Sequence, residues 1–298
     1  MRSKLFIIIP IFNRFSFTEK CVNSLATQTS TNCKILIIDD GSTDNSSALL
    51  ASRFKQLIIK RFKGNLYWAE STNQGVYYAL SNGADYILTL NNDTIPTDTF
   101  VVDLLNETIN HPDALFGAHA IDIKTKKSVY IGERINWLTA KYQRCMDFIS
   151  LDSPNRLVPV THLPGRGLLI PAKVFHTIGF FDSIHFPQSG ADDDFTFRAA
   201  RAGFDIFCNL DAKLYIYPEE SGDAWFRRNK SLKNYYNHLF HLKGGGNLKR
   251  FWFLAWRNCP KRYLSSFIIC GIARRLFGYL LEWLRESFHA NKCHTDSK

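Results

Sequence analysis

Three acidic clusters carry the residues best suited to chemistry: Asp39-Asp40-Gly41-Ser42, Asn91-Asn92-Asp93 and Asp192-Asp193-Asp194. Carboxylates in that number need a counter-charge, and a divalent metal carrying a diphosphate supplies one. Each cluster also has a plainer use. Ser42 or Asp44 can cap a helix, the Asn/Asp triplet can form an Asx turn, and acids in a first helical turn meet its dipole favourably. Capping does not require two further acids at a strand end, nor three adjacent ones. Ionised Asp40 only accepts hydrogen bonds, which suits the imide N–H of a uracil or thymine ring, or a ribose hydroxyl. Asp93 offers hard oxygens to Mg²⁺ or Mn²⁺, with Asn91 two residues earlier as a neutral oxygen ligand or ribose contact. Asp194 and Arg198 are spaced i,i+4 and can pair, so Asp192 can point elsewhere. The clusters imply an enzyme working on a nucleotide.

The elements that must position these residues alternate. Strands are expected at Leu5–Phe12, Lys34–Asp40, Gln56–Arg61 and Asp85–Leu90, and helices near Ser16–Gln28, Asp44–Phe54, Ser71–Asn82 and Asp98–Asn110. Apolar runs bounded by turn residues read as buried strands, and their alternation with helices calls for βαβ units in a largely parallel sheet. Acids at the carboxyl ends of such strands line the crevice where open α/β sheets hold ligands. From Ala114 to Thr161 the pattern turns to short strands. A strand at Gly167–Ile170, a short helix after Pro171, the acidic helix Asp192–Gly203 and strands at Asp205–Leu210 and Lys213–Tyr217 follow.

Charge is unevenly placed. Residues 224–298 hold 15 Lys+Arg against 3 Asp+Glu, whereas the remainder holds 22 against 24. The tail interleaves these cations with Trp225, Phe226, Tyr235, Tyr236, Phe251, Trp252, Phe253, Trp256, Phe267, Phe277, Tyr279 and Trp283. Its longest uncharged stretch, Tyr263–Ala273, has 11 residues, against about 20 for a bilayer-spanning helix. A basic, aromatic amphipathic segment is therefore expected to lie in an anionic membrane interface, with Gly244-Gly245-Gly246 as a hinge. A helix packed on the body with a solvated basic face is the plainer alternative. Seven cysteines without a CxxC pair read as reduced, mostly buried thiols of a cytosolic protein. The start, Leu5–Ile9, reads as a strand rather than a signal peptide, because Pro10, Asn13 and Arg14 follow it.

Taken together, Ile8-Ile9-Pro10-Ile11-Phe12-Asn13-Arg14, Asp39-Asp40-Gly41-Ser42, Asn73-Gln74-Gly75 and Leu90-Asn91-Asn92-Asp93 resemble the inverting family-2 glycosyltransferases. Gly165…Leu169-Ile170, Gly179-Phe180-Phe181-Asp182 and Asp192-Asp193-Asp194-Phe195…Arg198…Ala202-Gly203 extend the resemblance to about Tyr236. The Leu-Asn-Asn-Asp form looks most like the rhamnosyl- and galactofuranosyltransferases of bacterial surface-polysaccharide assembly. The resemblance implies a GT-A fold over residues 1–222, α/β and Rossmann-like, with a mostly parallel sheet and a small mixed one. Residues 223–298 would form a helical, membrane-associating extension. It implies a dTDP- or UDP-linked sugar donor and a glycan or lipid-linked glycan acceptor, at the inner face of the cytoplasmic membrane. Asp192 matches the catalytic base, Asp93 the metal-binding acid with Mg²⁺ or Mn²⁺, and Asp40 the nucleotide-base contact. Pro10, Asn13, Ser42, Asn73, Asn91 and Asn92 fall on the donor side. Trp68, Gly165 and Asp193 fall near the acceptor or sugar. Trp68 can stack on a sugar, and Gly165 and Gly167 would allow close backbone approach. Two departures stand out. Ala191 replaces the Glu that usually precedes the base, and Tyr217-Pro218-Glu219-Glu220 lacks a metal-binding His, which leaves Glu219, water or donor phosphate to complete the metal shell.

Two other classes fit less well. A metal-dependent nucleotidyltransferase would want a Gly-rich phosphate loop with Lys near the first strand, and Ile9–Phe15 has none. A non-catalytic membrane- or nucleic-acid-binding protein rests on the tail alone, and the acidic body would repel a phosphate backbone. No nucleic-acid partner is expected.

Overall fold

The computed structural model describes residues 3–28, 32–220 and 228–295, with side chains as far as 286. The chain divides into two compact units, one of residues up to Arg134 plus Tyr142–Tyr217, the other of Ile135–Lys141 plus the chain from Pro218 onward. The boundary expected at 222/223, and Trp225 and Phe226, lie outside the described residues.

The first unit begins with β1 (Leu5–Ile11), α1 (Phe15–Ala26), β2 (Cys33–Asp39), α2 (Ser46–Arg53), β3 (Ile58–Arg61) and α3 (Tyr67–Ser81). Next come β4 (Tyr86–Thr89), β5 (Thr94–Pro96), α4 (Phe100–Asn110), β6 (Leu115–Asp122) and β7 (Ser128–Tyr130), then β8 (Glu133–Asn136) and β9 (Lys141–Arg144), of which Ile135, Asn136 and Lys141 belong to the second unit. It ends with β10 (Leu157–Pro159), β11 (Leu168–Pro171), α5 (Ala172–Ile178), α6 (Ala191–Arg201) and β12 (Ile206–Ile216). The main sheet runs β10-β12-β6-β11-β4-β1-β2-β3, and β8 and β9 form a separate pair. Its centre is parallel: β1 lies between β2 and β4, and β3 extends β2. β11 enters antiparallel between β4 and β6. Both faces of the central strands are covered, so Leu5–Ile9, Ile35–Ile38, Ile87 and Leu88 are all buried. That explains why they read as continuous apolar runs rather than alternating ones. Burial also pushes the Cys21 and Cys33 thiols up to about 12, and the six cysteines with described side chains are unbridged.

Two boundaries differ from expectation. α3 starts at Tyr67, a turn before the expected Ser71, because a carboxylate remote in sequence holds its first amides (below). The two strands expected at Asp205–Leu210 and Lys213–Tyr217 are one, β12, with a register shift between Asn209 and Lys213 against β6. Leu210 and Ala212 are both buried at that bulge, so the chain stays in the sheet between the two expected strands.

The second unit contains α7 (Leu232–Phe240), α8 (Leu248–Asn258) and α9 (Leu264–Thr295). Ser231 and Asn247 cap α7 and α8 through their side-chain oxygens. Several tail aromatics form this unit's own core: Phe251, Phe267 and Tyr279 are buried, with Phe251 stacked on Phe267 and Tyr279 against His238. Tyr236, Trp252, Trp256 and Phe277 are exposed. The glycine triplet is not a hinge between the parts. It turns the chain within this unit, where a Cβ on Gly246 would lie 2.2 Å from the His238 ring. α9 also corrects a length argument. Arg274-Arg275 interrupt the uncharged stretch, yet Lys261–Glu286 is long and apolar enough to cross a membrane by length and composition.

Asp194 and Arg198 pair as their spacing implies. The carboxylate is fully buried and takes the Arg198 Nε–H at 2.9 Å, and the guanidinium also donates to the Ile178 and Phe180 carbonyls at 2.7 Å. Breaking a buried pair by removing one partner costs about 3–5 kcal/mol. Arg198→Met is expected to lower stability by that amount, read as a fall in urea midpoint; a midpoint near wild type would show that the pair contributes little.

Candidate active site

Parallel register brings the motif residues to one edge of the sheet. Ile11 lies beside Asp39 and Thr89 beside Ile8, so the segments after β1, β2 and β4 leave together. Pro10 sits one residue before the end of β1, beside Ile38. Beyond the strand, the Ser42 hydroxyl accepts the Asn13 amide N–H at 2.8 Å, and Asn13 Oδ1 accepts the Thr43 amide N–H at 2.8 Å. These reciprocal bonds lock the first two motifs together. Asp39, fully buried, accepts the Ser42 amide at 2.7 Å and the Ser47 hydroxyl, and so closes its own turn. Neither Ser42 nor Asp44 is the N-cap of α2, a position held by Asn45 with no side-chain cap bond; Asp44, one residue earlier, accepts the Ser46 amide at 3.0 Å.

Asp40 takes a part that its neighbours in sequence do not reveal. Its two carboxylate oxygens accept the Leu66 and Tyr67 amides, each at 2.9 Å. Those are N-terminal donors of α3 that no local side chain satisfies. Each oxygen keeps lone-pair capacity beyond that bond, so a base contact is compatible with capping.

Trp68, expected in a loop, therefore stands in the first turn of α3. Its indole N–H donates to Asn91 Oδ1 at 3.0 Å, and its ring edge meets Phe181 at 5.4 Å. The ring also fills the space beside Gly165, where a Cβ would lie 2.3 Å from it. Gly165 in turn donates its amide N–H to Asp192 Oδ2 at 2.8 Å and accepts the Thr89 hydroxyl at 2.5 Å. One chain of contacts thus runs from Asp192 through Gly165 and Trp68 to Asn91, two residues from Asp93. Asn92 is turned to α1, donating to the Thr18 hydroxyl at 3.1 Å. Asn73 is a correction. It is buried, with both ends of its carboxamide bonded to the backbone of Phe181 at 2.9 and 3.1 Å, so it holds the Trp68–Phe181 contact rather than a donor.

Two residues escaped the sequence reading of the site. Arg14, with φ of 64°, directs Nη1 to Asp93 Oδ2 at 3.3 Å. A cation at a helix N-terminus opposes the dipole, and that misfit was the available signal. His162 had no such signal. It is buried between two carboxylates, with Nε2 at 3.4 Å from Glu133 Oε2 and 3.9 Å from Asp193 Oδ1. Burial pulls its pKa down, but the Glu133 hydrogen bond and the charges of Asp193 and Asp192 outweigh that and raise it above 6.5. The stability contributed by this imidazolium is full below its ordinary value and lost as pH rises through the raised one.

The fit to a divalent ion rests on Asp93. Among the described residues no group of three or more His, Cys, Asp or Glu could hold a metal. One carboxylate with donor phosphates is nonetheless a normal arrangement for Mg²⁺. The Asn91 amide oxygen, though engaged by Trp68, retains a second lone pair. Glu219 lies in the second unit, in the turn Pro218–Glu220.

The sequence model of glycosyl transferase family 2 matches residues 6–176. An uncharacterised glycosyltransferase of Rickettsia conorii is 27% identical over 183 residues, covering 59% of this chain but only 28% of that protein. Glycosyltransferase GlyG of Streptococcus pneumoniae is 27% identical over 236 residues, covering 74% of this chain and 73% of its own length. The crystal structure of GalNAc-T7 with UDP, GalNAc and Mn²⁺ superposes with a TM-score of 0.60 at 10% identity, covering 92% of this chain and 56% of that one.

Gly165→Ala is expected to force the Trp68 ring away and cost about 1–3 kcal/mol by overpacking. Trp68→Phe, which deletes the N–H and shrinks the ring, should relieve part of that cost in the double variant. Additive losses of thermal stability would show that the two sites are uncoupled.

Proposed function

The chain belongs to glycosyl transferase family 2, and from that premise we propose that it moves a sugar from a dTDP- or UDP-linked donor to a glycan or lipid-linked glycan acceptor. The fold is GT-A and the activity is that of a glycosyltransferase. The observation that carries the finer reading is the contact chain from Asp192 to Asn91, which couples a carboxylate base to the strand end bearing Asp93 and Arg14.

In this reading the acceptor hydroxyl loses its proton to Asp192 as its oxygen attacks the anomeric carbon. The bond from that carbon to the diphosphate breaks on the opposite face. A single displacement with one base inverts the centre, as in inverting glycosidases. Arg14 supplies a permanent cation where negative charge grows on the leaving group. Mg²⁺ or Mn²⁺ held by Asp93, with Asn91 beside it, would neutralise the same charge when bound; the Mn²⁺ in the similar GalNAc-T7 structure supports this. Asp40, Asn13, Ser42 and Pro10 border the nucleoside. A hexose, rhamnose-like or in furanose form, and a role in surface-polysaccharide assembly follow the Leu-Asn-Asn-Asp resemblance.

The second unit is the membrane-facing part in this proposal, at the inner face of the cytoplasmic membrane. Trp252 and Trp256 are exposed and near-parallel on α8, their rings 6.4 Å apart. Phe277, Leu281 and Leu284 are exposed on α9. Amphipathic basic surfaces of this kind bind anionic lipid.

Three outcomes test the reading. Asp192→Asn should lower transfer by about 10²–10⁴-fold, the usual loss of a general base, with donor affinity nearly unchanged. Asp193→Asn should keep most activity; if it alone is inactive, the base assignment moves one residue. Chelation by EDTA and Asp93→Asn should weaken donor binding together, and full transfer in EDTA would leave Arg14 as the counter-charge without metal. The whole protein should co-sediment with anionic vesicles and less so after Trp252→Ala with Trp256→Ala; equal recovery of both in the soluble fraction would defeat the membrane assignment.

A further inference from the structure

One face of the sheet at β7, β6 and β12 has no part in the mechanism above. These strands border a cavity of about 470 Å³, within the usual range of roughly 300–1,000 Å³ for small-molecule sites. We infer that this cavity binds the phosphate group of a ligand of sugar-phosphate size, with the Lys126 and Lys213 ammonium groups as its counter-charges. The inference stands apart from the proposed transfer reaction and uses none of its residues.

The sheet builds the floor. His119 and Ile121 of β6 lie beside Lys213 and Tyr215 of β12, and Ser128 of β7 lies beside Ile121. Side chains alternate along a strand, so these share one face while Ala120 and Leu214 join the core on the other. The His119 ring is buried. Its Nδ1 faces the Leu210 carbonyl at 3.1 Å, which only accepts, so Nδ1 carries the proton and donates. Nε2 then accepts the Ser128 hydroxyl at 2.9 Å. Burial lowers the pKa of this ring; the Lys213 and Arg156 charges lower it further, against the Leu210 hydrogen bond and Asp211. The Ser128 oxygen, its proton directed to His119, keeps lone-pair capacity for a ligand hydroxyl.

Two cations border this floor without a counter-charge. Among the described residues, no carboxylate lies within ion-pair distance of Lys126 or Lys213. Lys126 Nζ stands over the Tyr215 ring at 4.5 Å, reaching it from a left-handed backbone with φ of 58°. A non-glycine residue adopts that conformation at a cost, and such costs concentrate at ligand sites. The nearby acids are engaged or peripheral. Asp122 accepts the Lys124 and Thr125 amides at 2.8 and 3.4 Å, and Asp211 accepts Arg156 Nε–H and Nη2–H at 2.9 and 2.7 Å. Asp152 is exposed at the border of the cavity. Arg156 Nη1 donates to the Leu151 carbonyl at 2.7 Å and fixes that apolar wall. This division selects the ligand. A planar carboxylate suits an arginine fork, and the Arg156 fork is occupied by Asp211. Two ammonium point charges match a phosphate dianion instead, and Ile121 and Leu151 offer apolar surface to the C–H face of a sugar.

Glucose 6-phosphate is the probe, followed by calorimetry and by the imidazole C–H signals of His119 in NMR of the whole protein. It should shift those signals and bind more tightly than inorganic phosphate or glucuronate, which lack the sugar or the second charge. Lys126→Gln with Lys213→Gln should weaken its binding by about tenfold or more, because one exposed charge contact is worth up to about fivefold. Asp152→Asn removes an anion at the border and should tighten binding by about twofold. All three side chains are exposed, so both proteins should melt as wild type does. Unchanged affinity in the double lysine variant, weaker binding in Asp152→Asn, or saturation without a shift of the His119 signals would overturn the inference. Glucuronate binding as tightly as glucose 6-phosphate would overturn the assignment to phosphate.

Discussion

The backbone of Gly165 is the point on which the site depends. Its N–H holds Asp192, its carbonyl holds Thr89 of β4, and the space where a side chain would stand holds the Trp68 ring. Backbone donors and acceptors make stringent anchors because each has a fixed direction and an unmade bond in a buried place costs about 1–3 kcal/mol. A carboxylate on a helix, a polar strand end and an aromatic from a third element are therefore set relative to one another by one residue.

The acids divide by what satisfies them. Asp40 and Asp44 meet amide or hydroxyl donors of nearby turns, and Asp39 meets such donors together with Arg61 Nε at 3.6 Å. Asp93, Asp193 and Asp194 each lie against a cation: Arg14, His162 and Arg198. Asp192 has neutral amides as its closest bonding partners. A carboxylate oxygen that accepts one N–H keeps further lone-pair capacity, which is what the base role proposed for Asp192 requires.

The second unit spends its aromatic residues in two ways. Some fill a small core with His238, where Arg275 lies over the Phe251 ring at 3.7 Å. Others, Trp252 and Trp256 foremost, face outward. Composition alone counts both kinds alike, because Phe and Trp interleaved with Arg read the same whether the cation covers a ring or the ring faces lipid.

Much of the frame was legible in the residues. Central strands carried continuous apolar runs, since both faces are buried, and i,i+4 spacing was enough to pair Asp194 with Arg198, since a helix brings those positions together whatever surrounds it. The order of acidic clusters at strand ends followed from the parallel alternation. What lay beyond reach were contacts between residues far apart in sequence: Asp40 capping α3 across 26 positions, Asn73 clamping Phe181 across 108, and Trp68 against Gly165. No local pattern encodes these, because backbone propensity and periodicity describe only neighbours along the chain. His162 shows the limit most plainly. As a residue type it could be a core histidine anywhere; only the pairing of β8 with the segment before β11 sets it between Glu133 and Asp193 and makes it a charge. The sequence determined which residues could carry protons and cations, and tertiary structure decided which carboxylate was left to use them, because burial and partner distance set ionisation and neither is a property of the chain in one dimension.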